Sequence, residues 1–210
     1  MWGKIKYNII NHVRSNLLLY IIVLFSFLVG IATGAFTVSS LSDLEKEELI
    51  GFLDNFFSIL GNQDINASMV FKQSLINNIQ TLALIWILGI TIIGIPIIMF
   101  IIGVRGFVIG FTVGFLINEF GIKGLFFVLT GILPQNLIMI PVLMAIGVIG
   151  INYSILMVKN RGKAKQPQRR GSPFMLYTAN LWLLFIPLLI ATFIEAFVTP
   201  VFMKILLDIL

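Results

Sequence analysis

Five stretches of this chain are apolar for about the length that a membrane-crossing helix needs: Leu17–Phe36, Leu82–Ile102, Phe107–Leu133, Leu137–Val158 and Leu181–Phe202. A hydrocarbon core about 30 Å thick takes roughly 20 apolar residues per helix. In water such surfaces aggregate, whereas in lipid a helix satisfies its own backbone polar groups. The expected fold is an all-α integral membrane protein, polytopic, with about five transmembrane helices, some kinked or broken, and an external amphipathic helix.

The composition agrees. Hydrophobic residues make up 59% of the chain and charged residues 11%, against about 25% charged in ordinary soluble domains. Soluble enzymes and nucleic-acid binders are thereby excluded, and a membrane-lipid setting is implied. With 210 residues and short connections, the chain reads as a single membrane domain, 1–210. It contains no cysteine, which excludes a disulfide, a thiolate metal site and a cysteine nucleophile.

Charge is distributed by segment. Residues 1–16 carry Lys4, Lys6 and Arg14 without an acid, and the loop 159–173 carries Lys159, Arg161, Lys163, Lys165, Arg169 and Arg170 without an acid. The segment 39–79 carries Asp43, Glu45, Glu47, Glu48, Asp54 and Asp64 against Lys46 and Lys72. Short basic segments beside apolar spans read as cytoplasmic loops. The expected topology has residues 1–16 and 159–173 in the cytoplasm, 39–79 outside, five crossings, and the C-terminus outside. The first span is longer than the core of a signal peptide and reads as an uncleaved anchor.

The external segment has a helix start of its own. Ser42-Asp43-Leu44-Glu45 fits a capping box, in which hydroxyl and carboxylate each bond the other residue's amide. Leu49, Phe52, Leu53, Phe56 and Leu60 then recur at helical spacing. This apolar face either packs on the bundle or the interface, or docks a partner through Leu49, Phe52 and Phe56.

No catalytic constellation is visible: the chain has one histidine, His12, and no HExxH, G-x-S-x-G, Walker A or G-x-G-x-x-G. The expectation is a non-enzyme without a cofactor or metal. Three ionisable residues, Arg105, Glu119 and Glu195, lie in or beside apolar runs, where charge is costly and points to function by default. Glu119 and Lys123 stand at helical i, i+4 spacing and read as a local ion pair. Glu195 reads equally as structural glue, paired with Arg105 or Lys123, or as a proton or ion site. Gly106, Gly110 and Gly114 repeat every fourth residue, a pattern that lets helices approach closely. Internal packing is the first reading, and a homo-oligomer seam the second. Pro96, Pro134, Pro141, Pro187 and Pro200 free helix carbonyls and kink the axes. The stretch 107–133 is the least regular, either one long tilted helix or a helix broken near Phe120–Gly121.

Three short motifs resemble landmarks of a known family. Phe71-Lys72-Gln73-Ser74-Leu75-Ile76-Asn77-Asn78 stands ahead of a glycine-containing helix, Pro134-Gln135-Asn136 is followed by Pro141, and Glu195-Ala196-Phe197 leads to Thr199-Pro200. In order, spacing and total length the chain resembles the stage II sporulation protein M family. Broader members carry a histidine after the landmark proline and a glutamate near the next; here those places hold Gln135 and Met139, a form closer to the sporulation branch. The resemblance implies a non-enzymatic scaffold in the bacterial cell membrane. It would localise two peptidoglycan hydrolases, stage II sporulation proteins D and P, at the septum during engulfment. It also implies that Asn78, Pro134, Gln135, Asn136, Glu195, Thr199 and Pro200 form the family's polar framework. The competing reading is a small transporter or channel subunit with Glu195 as its coupling group.

Overall fold

The computed structural model describes residues 2–62, 66–160 and 173–209. Among them the secondary structure is helical throughout: α1 Trp2–Ser15, α2 Leu17–Ser39, α3 Asp43–Asn62, α4 Ala67–Gly89, α5 Gly94–Phe127, α6 Leu133–Asn160, α7 Pro173–Phe193 and α8 Thr199–Ile209. Two π-helical segments, Val128–Ile132 and Ile194–Val198, lead into α6 and α8. Among the described residues, three helical stretches are long and apolar enough to cross a membrane: Leu17–Ser39, Gly94–Lys159 and Pro173–Leu206.

The second of these cannot be one crossing, because 66 residues of helix extend about 100 Å at 1.5 Å per residue. The chain reverses at Gly121, whose φ of 55° and ψ of −124° suit a residue without Cβ. Beyond it, Gly124 closes against the carbonyl of Leu116, with no space for a side chain. The two arms then run antiparallel, Ile102 meeting Gly147 and Ile98 meeting Gly150. The continuous helix over 107–133 is thereby excluded, and the break at Gly121 assigns 107–120 to one pass and the residues beyond it to the next.

A second correction concerns the apolar run Leu82–Ile102. It is not one helix: α4 ends at Gly89 and α5 starts at Gly94. The turn between them is apolar, Ile90-Thr91-Ile92-Ile93, so hydropathy runs through it without a mark. It is pinned by tertiary bonds instead. The Ser154 hydroxyl donates to the Thr91 carbonyl at 2.5 Å. The Tyr177 hydroxyl sits 3.1 Å from the Ile85 carbonyl and 3.0 Å from that of Trp86. Arg105 accordingly lies well inside a pass rather than near its end.

Among the described residues these turns divide the bundle into five helical segments, or passes along its length, of alternating direction. α2 and the first arm of α5 run parallel and in register, with Gly106 on Phe27, Gly110 on Ile31 and Gly114 on Ala35. From the other side Gly30 and Gly34 meet the backbone of Gly103 and Phe107. A Cβ on Gly30, Gly34, Gly106 or Gly110 would fall within 2.3 Å of a main-chain oxygen. The glycine stripe is therefore an internal seam covered by α2. The main apolar core, which includes Val23, Ile85, Ile98, Ile102, Ile146 and Leu181, joins α2, α4, α5, α6 and α7.

α3 starts with the expected capping box. The Ser42 amide donates to Glu45 Oε2 at 2.8 Å, and the Glu45 amide approaches Ser42 Oγ at 3.4 Å. Leu53, like Met203, packs on a small cluster of Leu116, Phe127 and Val128 at one end of the bundle. Lys46 Nζ lies 4.0 Å from Glu119 Oε1. The local Glu119–Lys123 pairing expected from helical spacing loses its basis, because the helix is interrupted at Gly121 between them. Asn118 Nδ2 donates to the same Glu119 oxygen at 2.8 Å.

Candidate functional site

Polar side chains from four passes meet inside this apolar bundle. Two elements, α4 and the last pass, supply them at intervals of three to four residues, the period of one helix face, and α6 adds an adjacent pair. α4 contributes Ser74, Asn77, Asn78 and Thr81; the start of α6 contributes Gln135 and Asn136; the last pass contributes Thr192, Glu195 and Thr199. The fourth, α5, contributes Arg105. Ser74, Asn78, Gln135, Thr192 and Thr199 are buried, and a buried polar group is stable only when bonded.

The bonds are made between the motifs. Asn78 Nδ2 donates to Thr192 Oγ1 at 3.0 Å, and that hydroxyl donates to the Leu188 carbonyl at 2.9 Å. The Ser74 hydroxyl donates to Glu195 Oε2. Thr199 Oγ1 donates to Gln135 Oε1 at 2.9 Å. Phe71 and Phe197 extend the contact in apolar form, with ring centroids 6.0 Å apart. All three sequence motifs thus fold onto one another, although well over a hundred residues separate the first from the last.

The prolines explain part of the geometry. Pro134 and Pro200 lack an N–H, and their rings crowd the carbonyl one turn earlier. Each follows a π-helical segment, where Leu133 N–H bonds Val128 O and Thr199 N–H bonds Ile194 O, five residues back. Such a widened turn leaves carbonyls to be satisfied elsewhere, and π segments recur at functional sites. Here side-chain amides do it. Gln135 Nε2 donates to Gly131 O and Asn136 Nδ2 to Ile132 O, each at 2.7 Å. The second π segment carries Glu195 itself.

Arg105 spans the gap between α5 and α4. Its Nη2 donates to Thr81 Oγ1 and approaches the Asn77 carbonyl at 3.4 Å. Arg105 and Glu195 interact electrostatically. Both line a cavity of about 320 Å³ together with Ser74, Asn78, Gln135 and Met139. Gln135 and Met139, the two departures from the broader family pattern, therefore face the same space.

Ser74, Asn77, Thr81 and Thr192 escaped singling out from sequence. Their signal was present: 74, 77–78 and 81, and likewise 192, 195 and 199, are polar positions on one helix face inside apolar runs. Gly30 and Gly34 were also missed, though they repeat at the same four-residue interval as the stripe they oppose. The proposed docking residues lie elsewhere, on α3. Leu49 and Phe52 line a separate groove with Leu41, Glu45 and Glu48, and Phe52 is 73% exposed. The side chain of Phe56 lies outside the described residues, as does nearly all of the basic loop 159–173.

A helical fold of this apolarity, closed around an internal polar cluster, defines an all-α membrane protein. The family described as stage II sporulation protein M matches residues 23–200, a range that holds all three motifs and the α2–α5 seam. The chain belongs to that family and is a sporulation-related membrane protein. No curated protein and no solved structure matches it.

Proposed function

We propose that this protein is a non-enzymatic membrane scaffold that recruits peptidoglycan hydrolases to the septum during engulfment. Stage II sporulation proteins D and P are the partners that family membership suggests. The observation that carries the reading is the division of α3. Leu53 turns to the bundle, whereas Phe52, one residue earlier, stays exposed beside Leu49 in an acid-rimmed groove. A helix held firmly by one face with an aromatic side chain left bare offers a docking surface to a transmembrane or juxtamembrane segment.

Topology supports the reading. Arg14, just before α2, and Lys159, at the end of α6, lie at one end of the bundle, and acidic α3 lies at the other. The positive-inside rule favours a cytoplasmic basic end; on that reading α3 faces the side where cell wall is remodelled, the chain crosses five times and its C-terminus is outside. The chain has no cysteine, so single cysteines report orientation without background. Ser40→Cys should react with an impermeant maleimide in intact cells, and Ile92→Cys only after permeabilisation. The reverse pattern would invert the topology and remove the docking site from the cell-wall side.

The functional test is purification of the tagged protein from sporulating cells in mild detergent, with mass spectrometry of what accompanies it. Cell-wall hydrolases are expected, and Leu49→Asp with Phe52→Asp should remove them while leaving the membrane domain folded. Undiminished recruitment by a stable double variant would refute α3 as the interface.

A further inference from the structure

The charged cavity carries an inference that does not rest on the scaffold reading. Both hydrogen bonds of Arg105 are made by Nη2. Among the described residues, Nε and Nη1 of its guanidinium have no protein partner. Glu195 receives the Ser74 hydroxyl on Oε2, and Oε1 has no bond from a described residue. One cavity therefore presents a cation with donors to spare and an anion with an acceptor to spare. Charges in an apolar bundle are retained at high cost and mark a site by default, and an arginine fork suits a phosphate or carboxylate.

The cavity's surroundings define what reaches it. Val104, one residue before Arg105, and Val108, three residues after it, line the same cavity, yet they are 43% and 55% exposed. They lie within an apolar pass, so the mouth faces lipid sideways rather than an aqueous end. Ser74 lies seven residues into α4 from the α3 end, about 10 Å at 1.5 Å per residue. A molecule already in the bilayer, with its polar head drawn slightly inward, fits this opening. The volume of about 320 Å³ lies at the small end of ligand sites, adequate for a head group and too small for a helix.

We propose that this cavity binds the head group of a zwitterionic phospholipid bearing a primary amine. The phosphodiester sits on Arg105 Nε and Nη1, and the ammonium donates to Glu195 Oε1. The acyl chains remain outside, across Val104 and Val108.

Native mass spectrometry of the full-length protein, delipidated and returned to nanodiscs of defined composition, tests this. Phosphatidylethanolamine should be retained over phosphatidylglycerol, which lacks the ammonium, and over phosphatidylcholine, whose quaternary ammonium has no N–H. Loss of one charge-assisted contact should weaken retention roughly tenfold or more. Arg105→Gln should therefore reduce retention of every phospholipid, and Glu195→Gln should abolish the preference for the amine. Val108→Trp narrows the mouth without touching either charge; it should reduce retention even if an Arg105 variant fails to fold. Equal retention of the three lipids, a preference unchanged in Glu195→Gln, or retention unchanged in Val108→Trp would overturn the proposal. So would competition by free phosphoethanolamine at concentrations comparable to the lipid, which would assign the cavity to a water-soluble solute. Retention of a partner's transmembrane peptide in place of lipid would overturn it equally.

Discussion

The α2–α5 seam and the polar cluster between α4, α6 and the last pass close the same bundle in opposite ways. The seam is made by removing side chains, so that Gly30 and Gly34 lie on one helix backbone and Gly106 and Gly110 on the other. Dispersion between close backbones holds it, the main resource available to helices already surrounded by lipid. The cluster is made by adding polar side chains, each of which is stable only because another reaches it. Tightness in the seam is geometric and tolerates no growth; in the cluster it is chemical and tolerates no loss of a partner. The first builds a wall and the second leaves a cavity.

Enlarging the seam should break this comparison most severely. A Cβ on Gly110 would stand 2.1 Å from the Ile31 carbonyl oxygen, so Gly110→Leu must separate the helices. Overpacking typically costs 1–3 kcal/mol, and with main chain on the far side we expect about 3 kcal/mol or more. Thermal unfolding in detergent and the amount of protein in membranes measure it. Gly114→Ala sharpens the point, because its Cβ would meet Ala35 Cα at a milder 3.2 Å. Its cost should be well below that of Gly110→Leu, and equal costs would refute a seam set by backbone approach.

In the cluster the damage comes from deletion. Asn78→Leu keeps the volume but removes the donor to Thr192, at an expected cost of roughly 1–3 kcal/mol. The Thr192 hydroxyl keeps its bond to Leu188 O, which limits the loss. Gln135→Leu and Thr199→Val each break one mutual bond, so the double variant should cost less than the two singles together, with a coupling of about 1 kcal/mol. Strict additivity would mean that the second and third motifs do not depend on each other.

The smallest effect is expected at α3, outside both regions. The Ser42 amide, and after it the Ser42 hydroxyl, hold the Glu45 carboxyl below a glutamate's ordinary 4.5. A carboxylate with a lowered folded value stabilises its cap fully above the ordinary value, and that contribution fades as pH falls through the lower one. Protection of the Ser42–Lys46 amides, relative to their intrinsic exchange at each pH, should therefore fall on acidification below about 4.5, while protection in the seam remains unchanged. Glu45→Gln should flatten the response.

Much of this was legible in the chain. The long apolar runs fixed the class, the capping box located the start of α3, and the glycine stripe announced a close helix contact. The break at 90–93 left little mark, because Ile-Thr-Ile-Ile carries no charge and only Gly89 and Gly94 bracket it; Ser154 holds the turn and Tyr177 the end of α4, both from distant passes. Pairing Glu119 with Lys123 assumed a continuous helix that Gly121 ends. The three family motifs could be read as landmarks, but each is only a few polar residues in an apolar run, and nothing local says what they face.

What the sequence determined by itself is therefore the solvent and the local grammar: lipid as surroundings, helix as the element, and caps, glycines and prolines as its interruptions. These follow from backbone hydrogen bonding and side-chain size within a few turns. Only the tertiary structure decided that α2 fills the glycine seam, that Asn78, Gln135, Glu195 and Thr199 belong to one site, and that Arg105 and Glu195 share a cavity. Apolar surface packs without direction and so leaves many arrangements open; the buried polar groups and the side-chain-free backbone faces each have few partners that satisfy them, and those partners are distant in the chain.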